Sequence, residues 1–438
     1  MRSQKLEVVG AAPAPAPSTP HLAPSTQHRA LLLGYGRVGQ AVASVALRER
    51  DRLRAAGVDL VPVRALVRDV AKPRPGPAIP LVSRHERLWN DDVDVVVEAL
   101  GGVEPARTLV SAALRAGLPV VSANKSLVAA HGPELRALAA RHETMFACDA
   151  AVLAGVPFLG SLARRPLVAA ARRIEGILNG TSHAIVTALS RGASFAEALA
   201  GAIDRGYAEP DSSADVGGRD AAEKLTILLH LAGCPEARSS DLPACGIDTL
   251  EADDLAAATR LGGTIKPVVV ASLEPGESGA WVGPAFVADD HPFARLAGVT
   301  NALRLFTSTG TCTFSGPGAG PDATAVTIVD DIVETVTGGP AWPPGEAPAR
   351  VGVDELRHPA TAPWFLHVTR GGEVGAADLA EILAVSRIPA VRIEPHDDRV
   401  ALLTAPASWR VVQEIVEAVR ASCPRVLALP ALAGGRGE

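Results

Sequence analysis

A glycine pattern near the amino terminus constrains the fold of this 438-residue chain more than any other feature. An apolar run, residues 30–33, leads into GYGRVG at 34–39, and a helical pattern follows over 40–54. In a strand–turn–helix unit with GxGxxG spacing, the first glycine permits a tight turn, the second lets the backbone approach a pyrophosphate, and the third permits close helix–strand packing. A plain β–turn–helix is the alternative. The pattern predicts a dinucleotide site whose candidate contacts are Gly34, Gly36, Arg37, Val38 and Gly39.

Three further apolar segments indicate that this turn belongs to a parallel sheet. They cover residues 59–67, 92–100 and 118–122, and a helical pattern at 106–116 lies between the last two. Strands that alternate with helices of this length form βαβ units. We therefore expect an α/β fold with a Rossmann-type, doubly wound domain over residues 30–160. The Ala- and Pro-rich residues 1–29 have little to bury and no apolar secretory core, so we expect a disordered extension there.

After residue 160 the pattern changes to long helices mixed with β-rich segments. Helical patterns at 194–205 and 219–232 and strand patterns at 264–273, 280–287 and 302–309 predict an α+β domain over 161–338. The Gly- and Pro-rich residues 338–345 are typical of a linker. Over 346–438, a strand–helix–strand–strand–helix pattern with its first helix at 376–385 predicts a small ferredoxin-like module in which one element is not evident.

Composition excludes several classes of function. The net charge of −6 and the sequence pI of 6.0 argue against a nucleic-acid partner, because duplex binding needs a clustered basic excess. No window contains the roughly 18 consecutive apolar residues of a membrane span. The five cysteines are scattered without CxxC spacing, which indicates neither a zinc site nor a disulfide framework. We expect a cytoplasmic enzyme with no nucleic-acid or membrane partner.

The end of the second predicted strand bears on the choice of cofactor. Arg68 stands where an NAD site often places an acid, and an arginine at that point can pair with a 2′-phosphate. This favours NADP as the cofactor. The neighbouring Asp69 keeps NAD open as the alternative.

Lysine is scarce in this chain, which makes the remaining lysines informative. There are five lysines against 37 arginines, and a buried lysine, unlike an arginine, can shift its pKa and pass a proton. Lys125 ends the segment VVSANK (120–125), at the sheet edge where open α/β folds bind ligands. The alternative for this segment is a helix-capping Asn124 followed by a solvated lysine.

The acidic segment GYAEPDSSADVGGRDAAEKL (206–225) contains the second lysine of interest. Asp220 and Lys224 are four residues apart and therefore share one helical face. A surface ion pair, worth about 0.3–0.5 kcal/mol, is the plainer interpretation. The helix continues into the apolar LTILLHL, however, and a lysine at its root that faces several carboxylates suits an ammonium-bearing substrate and proton transfer.

Together these segments resemble homoserine dehydrogenases over residues 30–339. Six ordered segments carry the resemblance, and 206–225 is the family's diagnostic one: GYGRVG (34–39), VVSANKSL (120–127), GILNGTSHAI (176–185), GYAEPDSSADVGGRDAAEKL (206–225), HPFARLAGVTNAL (291–303) and GPGAG (316–320). The resemblance implies NAD(P)-dependent interconversion of L-homoserine and L-aspartate 4-semialdehyde on the route to threonine and methionine.

Residue roles follow from the family at the matching positions. Lys224 would donate the proton to the aldehyde oxygen. Asp220 and Lys125 would assist the hydride and proton steps, and Lys125 would also contact the substrate and lie beside the nicotinamide. Glu209 and Asp215 would bind the ammonium group of homoserine or shape its pocket.

The resemblance also implies features around the site. Gly318 and Gly320 would close over the cofactor as residues 316–338 return to the cofactor domain. Some family members hold a structural sodium in a loop, although Asp149 stands here where relatives commonly have Glu, and Leu153 where they have a small residue. The matching candidate ligands are Asp149, Val152, Ala154 and Val156.

The C-terminal module resembles the ACT-like regulatory domain of the longer family members, which implies threonine as a candidate effector. Its ligand-binding signature is degraded to RGGEVG (370–375), so a structural or dimerising role is the alternative. The family analogy further implies a homodimer formed through the second domain, or a homotetramer.

Two other functions stay open. His183 stands where relatives often carry Asn, which is compatible with a related oxidoreductase acting on another amino-acid semialdehyde. A non-catalytic NADP-binding sensor is the third interpretation. The presence of both Lys125 and Lys224 with the full acidic cluster argues against a sensor, which needs neither lysine.

Overall fold

The structure is a computed structural model that describes residues 25–83, 88–89, 92–156, 158, 162, 171–318, 320–339, 351–369, 388–420 and 423–434. These residues form one sheet of six strands and one of nine. The helices of the described residues are α1 Arg37–Arg48, α2 Arg50–Ala55, α3 Ala106–Arg115, α4 Lys125–Arg141, α5 Gly180–Leu189, α6 Phe195–Asp204, α7 Ser213–Val216, α8 Arg219–Leu231, α9 Ala252–Arg260, α10 Pro321–Val336 and α11 Trp409–Arg420.

The six-stranded sheet is parallel throughout and contains the glycine turn. Its strands are β1 Thr26–Leu33, β2 Val58–Leu66, β3 Leu81–Val82, β4 Val95–Glu98, β5 Val120–Ser122 and β6 Phe146–Ala147. Their order is β3-β2-β1-β4-β5-β6, which is the order of a dinucleotide-binding doubly wound fold. The expected Rossmann-type architecture is confirmed.

The first strand begins earlier than its composition suggests. β1 starts at Thr26, and residues 26–29 pair in parallel with residues 58–61 of β2. Arg29 also donates its backbone N–H and its guanidinium to the carboxylate of Asp94. The predicted extension, 1–29, was therefore wrong over its last residues, because pairing with β2 holds polar side chains in the strand. Residues 1–24 lie outside the described part of the chain.

Helices cover both faces of this sheet because side chains alternate along its strands. Leu31 and Leu33 of β1 belong to one core cluster together with side chains of α3 and α4. Ala30 and Leu32 belong to the other, together with α1 and α10. Helix α10 thus packs beside α1, although it follows the strands of the second domain in the chain.

The nine-stranded sheet joins the second domain and the C-terminal module. Its strands are β7 Arg173–Ile177, β8 Gly263–Ser272, β9 Gly279–Ala288, β10 Thr300–Thr307, β11 Gly310–Pro317, β12 Trp364–Thr369, β13 Ala390–His396, β14 Arg399–Thr404 and β15 Arg425–Leu432. The order is β11-β10-β7-β8-β9-β15-β12-β14-β13. All neighbours pair antiparallel except β9 and β15, which are parallel.

The C-terminal strands follow the ferredoxin-like order, in which the fourth and third strands flank the first. The helix expected at 376–385 and the segment 370–375 lie outside the described residues. The module is not a separate sheet, because Ala431 and Leu432 of β15 pair with Phe286 and Val287 of β9. The sequence pattern suggested two independent units here, and this pairing merges their sheets.

Helix α8 connects the two domains. Its apolar side chains, among them Leu225 and Leu228, pack in one cluster with α4 of the cofactor domain and with Val269 and Leu303 of the second sheet. The first turn of α8 is therefore placed where the two domains meet. No helix among the described residues is both long enough and apolar enough to cross a membrane.

Candidate active site

A cleft of about 670 Å³ opens where β4 and β5 end, between the parallel sheet and helices α5 and α8. Ligands of open α/β sheets bind at this edge because the turns that follow the strands converge there. The cleft brings together nine of the sequence-predicted residues: Val38, Lys125, Val152, Ala154, Asp215, Asp220, Lys224, Gly318 and Gly320.

The three glycines of the first turn have three different surroundings. Gly34 has a φ of +101°, and a Cβ there would lie 2.6 Å from the carbonyl oxygen of Ala99. A Cβ on Gly39 would collide with the carbonyl oxygen of Gly34, whereas a Cβ on Gly36 would meet no atom within 4 Å. Gly36 is also the N-cap of α1 and has no side chain to bind the first N–H groups. These groups fit a pyrophosphate.

The second domain contributes the chemistry of the cleft through Asp220. One carboxylate oxygen of Asp220 lies 2.8 Å from Nζ of Lys125, and the other lies 3.0 Å from Nζ of Lys224. Nζ of Lys224 also donates to the carbonyl oxygen of Leu178 at 2.7 Å. The sequence predicted the Asp220–Lys224 pair from helical spacing, and the fold adds Lys125 from the other domain.

Asn179 holds the acidic residues in place. Its Nδ2 donates to Asp220 at 2.8 Å and to Asp215 at 2.7 Å, while its Oδ1 accepts the N–H of Ser182 and caps α5. Ser182 in turn donates its hydroxyl to the carbonyl oxygen of Asp215 at 2.8 Å. One amide side chain thus joins the start of α5 to both carboxylates.

The surroundings set the ionisation of the cluster. Burial opposes ionisation of Asp220, but the two lysine ammonium groups and the hydrogen bonds outweigh burial and hold its pKa well below the usual range. Burial also acts to lower the pKa of Lys125, and the charges of Asp220, Glu223 and Asp215 outweigh it, so that this pKa is raised. Burial raises the pKa of Asp215. At neutral pH the cluster therefore holds an ionised Asp220 and a cationic Lys125.

Lys125 is placed by the start of α4. Asn124 is the N-cap of this helix, and its Oδ1 accepts the N–H of Leu127 at 3.2 Å. Ser126 donates to Glu223 of α8 at 2.9 Å, which ties the start of α4 to the second domain. Asn124 therefore caps the helix, as the alternative interpretation expected. Lys125 nevertheless lies in the cleft.

Two exposed arginines follow β1 and β2 at the carboxyl edge of the parallel sheet, outside the lining of the cleft. Arg37 and Arg68 are exposed, and neither forms an ion pair among the described residues. The carboxylate of Asp69 accepts the N–H of Ala71 at 2.8 Å. Arg74 donates to the carbonyl oxygens of Tyr35 and Asp69 and so holds the loop after β2 against the glycine turn.

Two residues singled out in the sequence do not line the cleft. Glu209 is exposed and does not line the cleft. His183 is fully buried, and its Nδ1 lies 2.9 Å from the carbonyl oxygen of Thr300. Since His183 does not face the cleft, its difference from relatives gives no support to a different substrate.

The predicted sodium ligands lie on one turn beneath the cleft. Asp149 is buried, and its backbone N–H donates to the carboxylate of Asp331 at 3.1 Å. The carbonyl oxygen of Ala154 accepts the hydroxyl of Thr327 at 2.7 Å, which leaves one lone pair. No cluster of three or more His, Cys, Asp or Glu side chains suited to a metal occurs among the described residues. The candidate ligands of this turn are oxygen atoms only, which is the type of donor that a hard cation takes.

Comparisons with known proteins show the family of this chain. Residues 34–149 match the model of the homoserine dehydrogenase NAD-binding domain, and residues 157–333 match that of homoserine dehydrogenase. The homoserine dehydrogenase of Corynebacterium glutamicum is 34% identical over 429 residues, which cover 93% of this chain and 96% of the relative. The chain belongs to the homoserine dehydrogenase family.

Further homoserine dehydrogenases extend the match. The Synechocystis enzyme is 37% identical over 317 residues, 70% of this chain and 72% of the relative. The crystal structure from Thiobacillus denitrificans superimposes with a TM-score of 0.82 at 29% identity and covers 94% of this chain and 100% of its own. As a homoserine dehydrogenase family member, the chain is an NAD(P)-dependent oxidoreductase that acts on a CH–OH group. A non-catalytic sensor is thereby disfavoured.

Sequence reasoning missed Asn179, which lines the cleft, and Glu98, which does not line it but binds the turns beside it. Asn179 was part of a matched segment but received no role, although an Asn before Gly180 is a typical helix cap. Glu98 ends the apolar run of β4, where a carboxylate is out of pattern. Both signals were present in the sequence, but only the fold brings Asn179 to Asp215 and Asp220, and Glu98 to Asn124, the residue before Lys125.

Proposed function

We propose that the chain interconverts L-homoserine and L-aspartate 4-semialdehyde with NADP, on the route to threonine and methionine. One observation carries the proposal: Lys125 and Lys224 share the carboxylate of Asp220 in a cleft at the edge of the dinucleotide-binding sheet. When bound, the nicotinamide cofactor supplies the hydride chemistry, and the protein supplies orientation and electrostatics.

Lys224 is the proposed proton donor. In aldehyde reduction the carbonyl oxygen gains negative charge and must take up a proton. An ammonium group has three donors, and Lys224 uses one on Asp220 and one on the carbonyl oxygen of Leu178. The third donor is left for the substrate oxygen. In the reverse direction the same nitrogen receives the proton of the hydroxyl group.

Lys125 is the proposed second cation at the reacting oxygen. Its side chain is 42% exposed toward the cleft, and its one ion pair among the described residues is with Asp220. Two of its donors are thus left for substrate and cofactor, and its raised pKa keeps it charged. Asp220 holds both ammonium groups close together, which offsets their repulsion and supports stabilisation of the growing oxyanion.

The acidic side chains are the proposed partners of the substrate ammonium group. Asp215 lines the cleft, and Asn179 binds one of its carboxylate oxygens, which leaves the other for a ligand. Glu209 does not line the cleft, but it lies in the loop between Tyr207 and Asp215, which both do. In this proposal Asp215 binds the ammonium group directly, and Glu209 helps to shape the pocket through that loop.

NADP is the proposed cofactor because of the exposed arginines. Arg68 follows β2 and forms no ion pair among the described residues, while the carboxylate of Asp69 is engaged by the backbone. A guanidinium binds a phosphate through charge-assisted hydrogen bonds. Arg68, with Arg37 at the glycine turn, would therefore bind the 2′-phosphate.

Other parts of the proposal extend beyond the cleft. A structural sodium at Asp149 and the carbonyl oxygens of Val152, Ala154 and Val156 would offset the adjacent buried carboxylates of Asp149 and Asp331.

The C-terminal module would be ACT-like, with threonine as its effector. The edge strand β11 would join a homodimer or homotetramer, since edge strands offer unpaired backbone groups. The five free cysteines favour a reducing compartment such as the cytoplasm.

The assignment is tested by following the ultraviolet absorbance of reduced nicotinamide with L-homoserine and either NADP or NAD. We expect NADP to give the higher kcat/KM. Arg68→Ala should lower kcat/KM for NADP by about tenfold or more, because it removes a charge-assisted hydrogen bond, and should leave the value for NAD within about twofold. Arg115→Ala is the matched control, since Arg115 is exposed at the far end of α3.

The outcomes separate the two parts of the proposal. If the protein binds NADPH but does not oxidise L-homoserine, the substrate assignment is wrong. If L-homoserine is oxidised equally well with NAD, or if Arg68→Ala changes nothing, the role of Arg68 and the preference for NADP are wrong.

A further inference from the structure

A carboxylate that the proposed chemistry does not use lies directly behind the cleft. Glu98 is the last residue of β4 and is fully buried. It has no cationic partner among the described residues. Its carboxylate instead accepts neutral hydrogen bonds, among them those from the Ser122 hydroxyl at 2.6 Å, from the Leu100 N–H at 2.8 Å and from Asn124 Nδ2 at 3.2 Å.

These three donors belong to two separate walls of the cleft. Leu100 lies in the turn after β4, which lines the cleft from Ala99 to Gly101. Ser122 ends β5 and lies opposite Glu98 in the register of the sheet. Asn124 follows it as the N-cap of α4. Glu98 thus connects the turn after β4 with the turn after β5.

Asn124 extends the connection to the reactive lysine. Its Nδ2 also donates to the carbonyl oxygen of Gly102 at 2.6 Å, and its Oδ1 caps α4. Lys125 is the first residue of that helix, so the orientation of its side chain depends on how Asn124 sets the first turn. The path from Glu98 to Lys125 therefore contains one side chain, Asn124.

We propose that Glu98 is a positioning residue that fixes Lys125 relative to the turn after β4 through Asn124 and Ser122. This inference rests on the proposed role of Lys125. Misplacing a reacting group by about 1 Å can cost a factor of about 10² in rate, so a rigid link between the two walls has a direct kinetic consequence.

For the link between the two turns, the length of the Glu98 side chain matters more than its charge. A glutamine keeps the length: its oxygen can accept from Leu100 and Asn124, and its NH₂ can donate to the Ser122 hydroxyl, which is both donor and acceptor. An aspartate is one methylene shorter and cannot reach both turns. Burial raises the pKa of Glu98 against the effect of the hydrogen bonds from Ser122, Asn124 and the backbone of Leu100 and Gly101, which agrees with a site that needs hydrogen bonds rather than a negative charge.

The test measures kcat and the KM for homoserine of Glu98→Gln and Glu98→Asp, each with and without Lys125→Ala. We expect Glu98→Asp to lower kcat by about 30-fold with KM changed less than about twofold, and Glu98→Gln to retain at least about a third of kcat. In the Lys125→Ala background, Glu98→Asp should cost less than about threefold, because the group that it positions is absent.

Ser122→Ala provides a second variant that keeps Glu98 itself and tests the inference if Glu98→Asp does not fold. It should lower kcat by about fivefold, whereas the matched Ser111→Ala, buried in α3 and unconnected to Lys125, should not change kcat. An equal loss from Glu98→Asp in both backgrounds, or a loss from Glu98→Gln as large as that from Glu98→Asp, overturns the inference. Full kcat in Lys125→Ala alone contradicts instead the proposed role of Lys125.

Discussion

Two buried aspartates in this molecule have similar surroundings and different uses. Asp220 lies in the first turn of α8 and Asp254 in the first turn of α9, with 5% and 0% of their surfaces exposed. For both, burial opposes ionisation, and basic partners and hydrogen bonds outweigh it. The pKa of Asp254 is lowered to about 2, and that of Asp220 lies below its usual range.

The partners of the two aspartates differ in chemistry and in access. Asp254 binds His367 at 2.6 Å and both nitrogens of the Arg425 fork at 2.7 and 2.6 Å. His367 is 1% exposed and Arg425 23%, and both come from the C-terminal module. Asp220 instead binds two lysines that reach an open cleft.

A lowered pKa therefore does not by itself indicate a reactive site. Arginine stays protonated and binds a carboxylate with two parallel hydrogen bonds, which suits a permanent contact between domains. Lysine can give up a proton and has donors to spare. Partner type and access to a cavity separate the cluster proposed for catalysis from the cluster that joins the module to the second domain.

The largest expected effect is the loss of kcat when Lys224, the proposed proton donor beside Asp220, is replaced. Lys224→Ala should lower kcat by about 10²–10⁴-fold, because a positioned general acid contributes about that much. Lys224→Arg should lose nearly as much, since arginine keeps the charge but cannot give up the proton. Stopped-flow or steady-state turnover measures both variants, and retention of more than about a tenth of kcat in Lys224→Arg would contradict proton donation by Lys224.

The second-largest expected effect is that of Asp254→Asn, which should lower the free energy of unfolding rather than kcat. Asp254→Asn leaves Arg425 without its buried counter-charge and changes the hydrogen-bond partner of His367, and breaking a buried pair costs about 3–5 kcal/mol. We expect that loss in urea unfolding, with kcat per folded molecule within about twofold of the wild type. The matched Asp220→Asn should show the reverse, a large loss of kcat with the smaller loss of stability. Equal effects of the two substitutions on kcat would remove the distinction between the clusters.

The pH dependence of Asp254 sharpens this second prediction. A carboxyl group whose pKa is lowered by folding stabilises the protein fully above its ordinary pKa of about 3.9. That contribution is lost as the pH falls toward the folded value of about 2. The difference in Tm between wild type and Asp254→Asn should therefore shrink as the pH falls from about 4 to about 2.

The smallest expected effect is a change in Tm on substitution of a third lysine, Lys266, which lies outside both clusters. Lys266 is 7% exposed and donates to the carbonyl oxygen of Leu296, and burial lowers its pKa to about 8. Between that pH and about 10.4 the unfolded chain binds the proton more tightly, so stability should rise with pH. Lys266→Met should abolish this rise in Tm and raise the Tm at pH 7 by about 2–4 °C, without changing kcat. A Tm that rises with pH equally in the variant would show that another group is responsible.

Much of the fold and half of the reactive cluster could be predicted from local patterns. The strand–turn–helix unit with its glycines, the later strands of the sheet and the Asp220–Lys224 spacing all depend on neighbours within a few residues. The predicted strand at 264–273 and β8, Gly263–Ser272, differ by one residue at each end. The start of β1 was wrong because pairing with β2, rather than composition, decides it.

Contacts between distant residues could not be predicted in this way. Nothing in the local pattern brings Lys125 to Asp220 across 95 residues of sequence, or Glu98 to Asn124 across two strands. The pairing of β9 with β15 likewise joins residues that are far apart in the sequence, so local patterns do not predict it.

Local sequence patterns were enough to predict the glycine turn, the parallel βαβ domain and the helix that carries Asp220 and Lys224, because period and spacing are local properties. The contact between Lys125 and Asp220, the burial of His183 and the continuation of the second sheet into the C-terminal module became evident only in the folded chain. Those results depend on which surfaces pack together, and packing is a property of the whole chain.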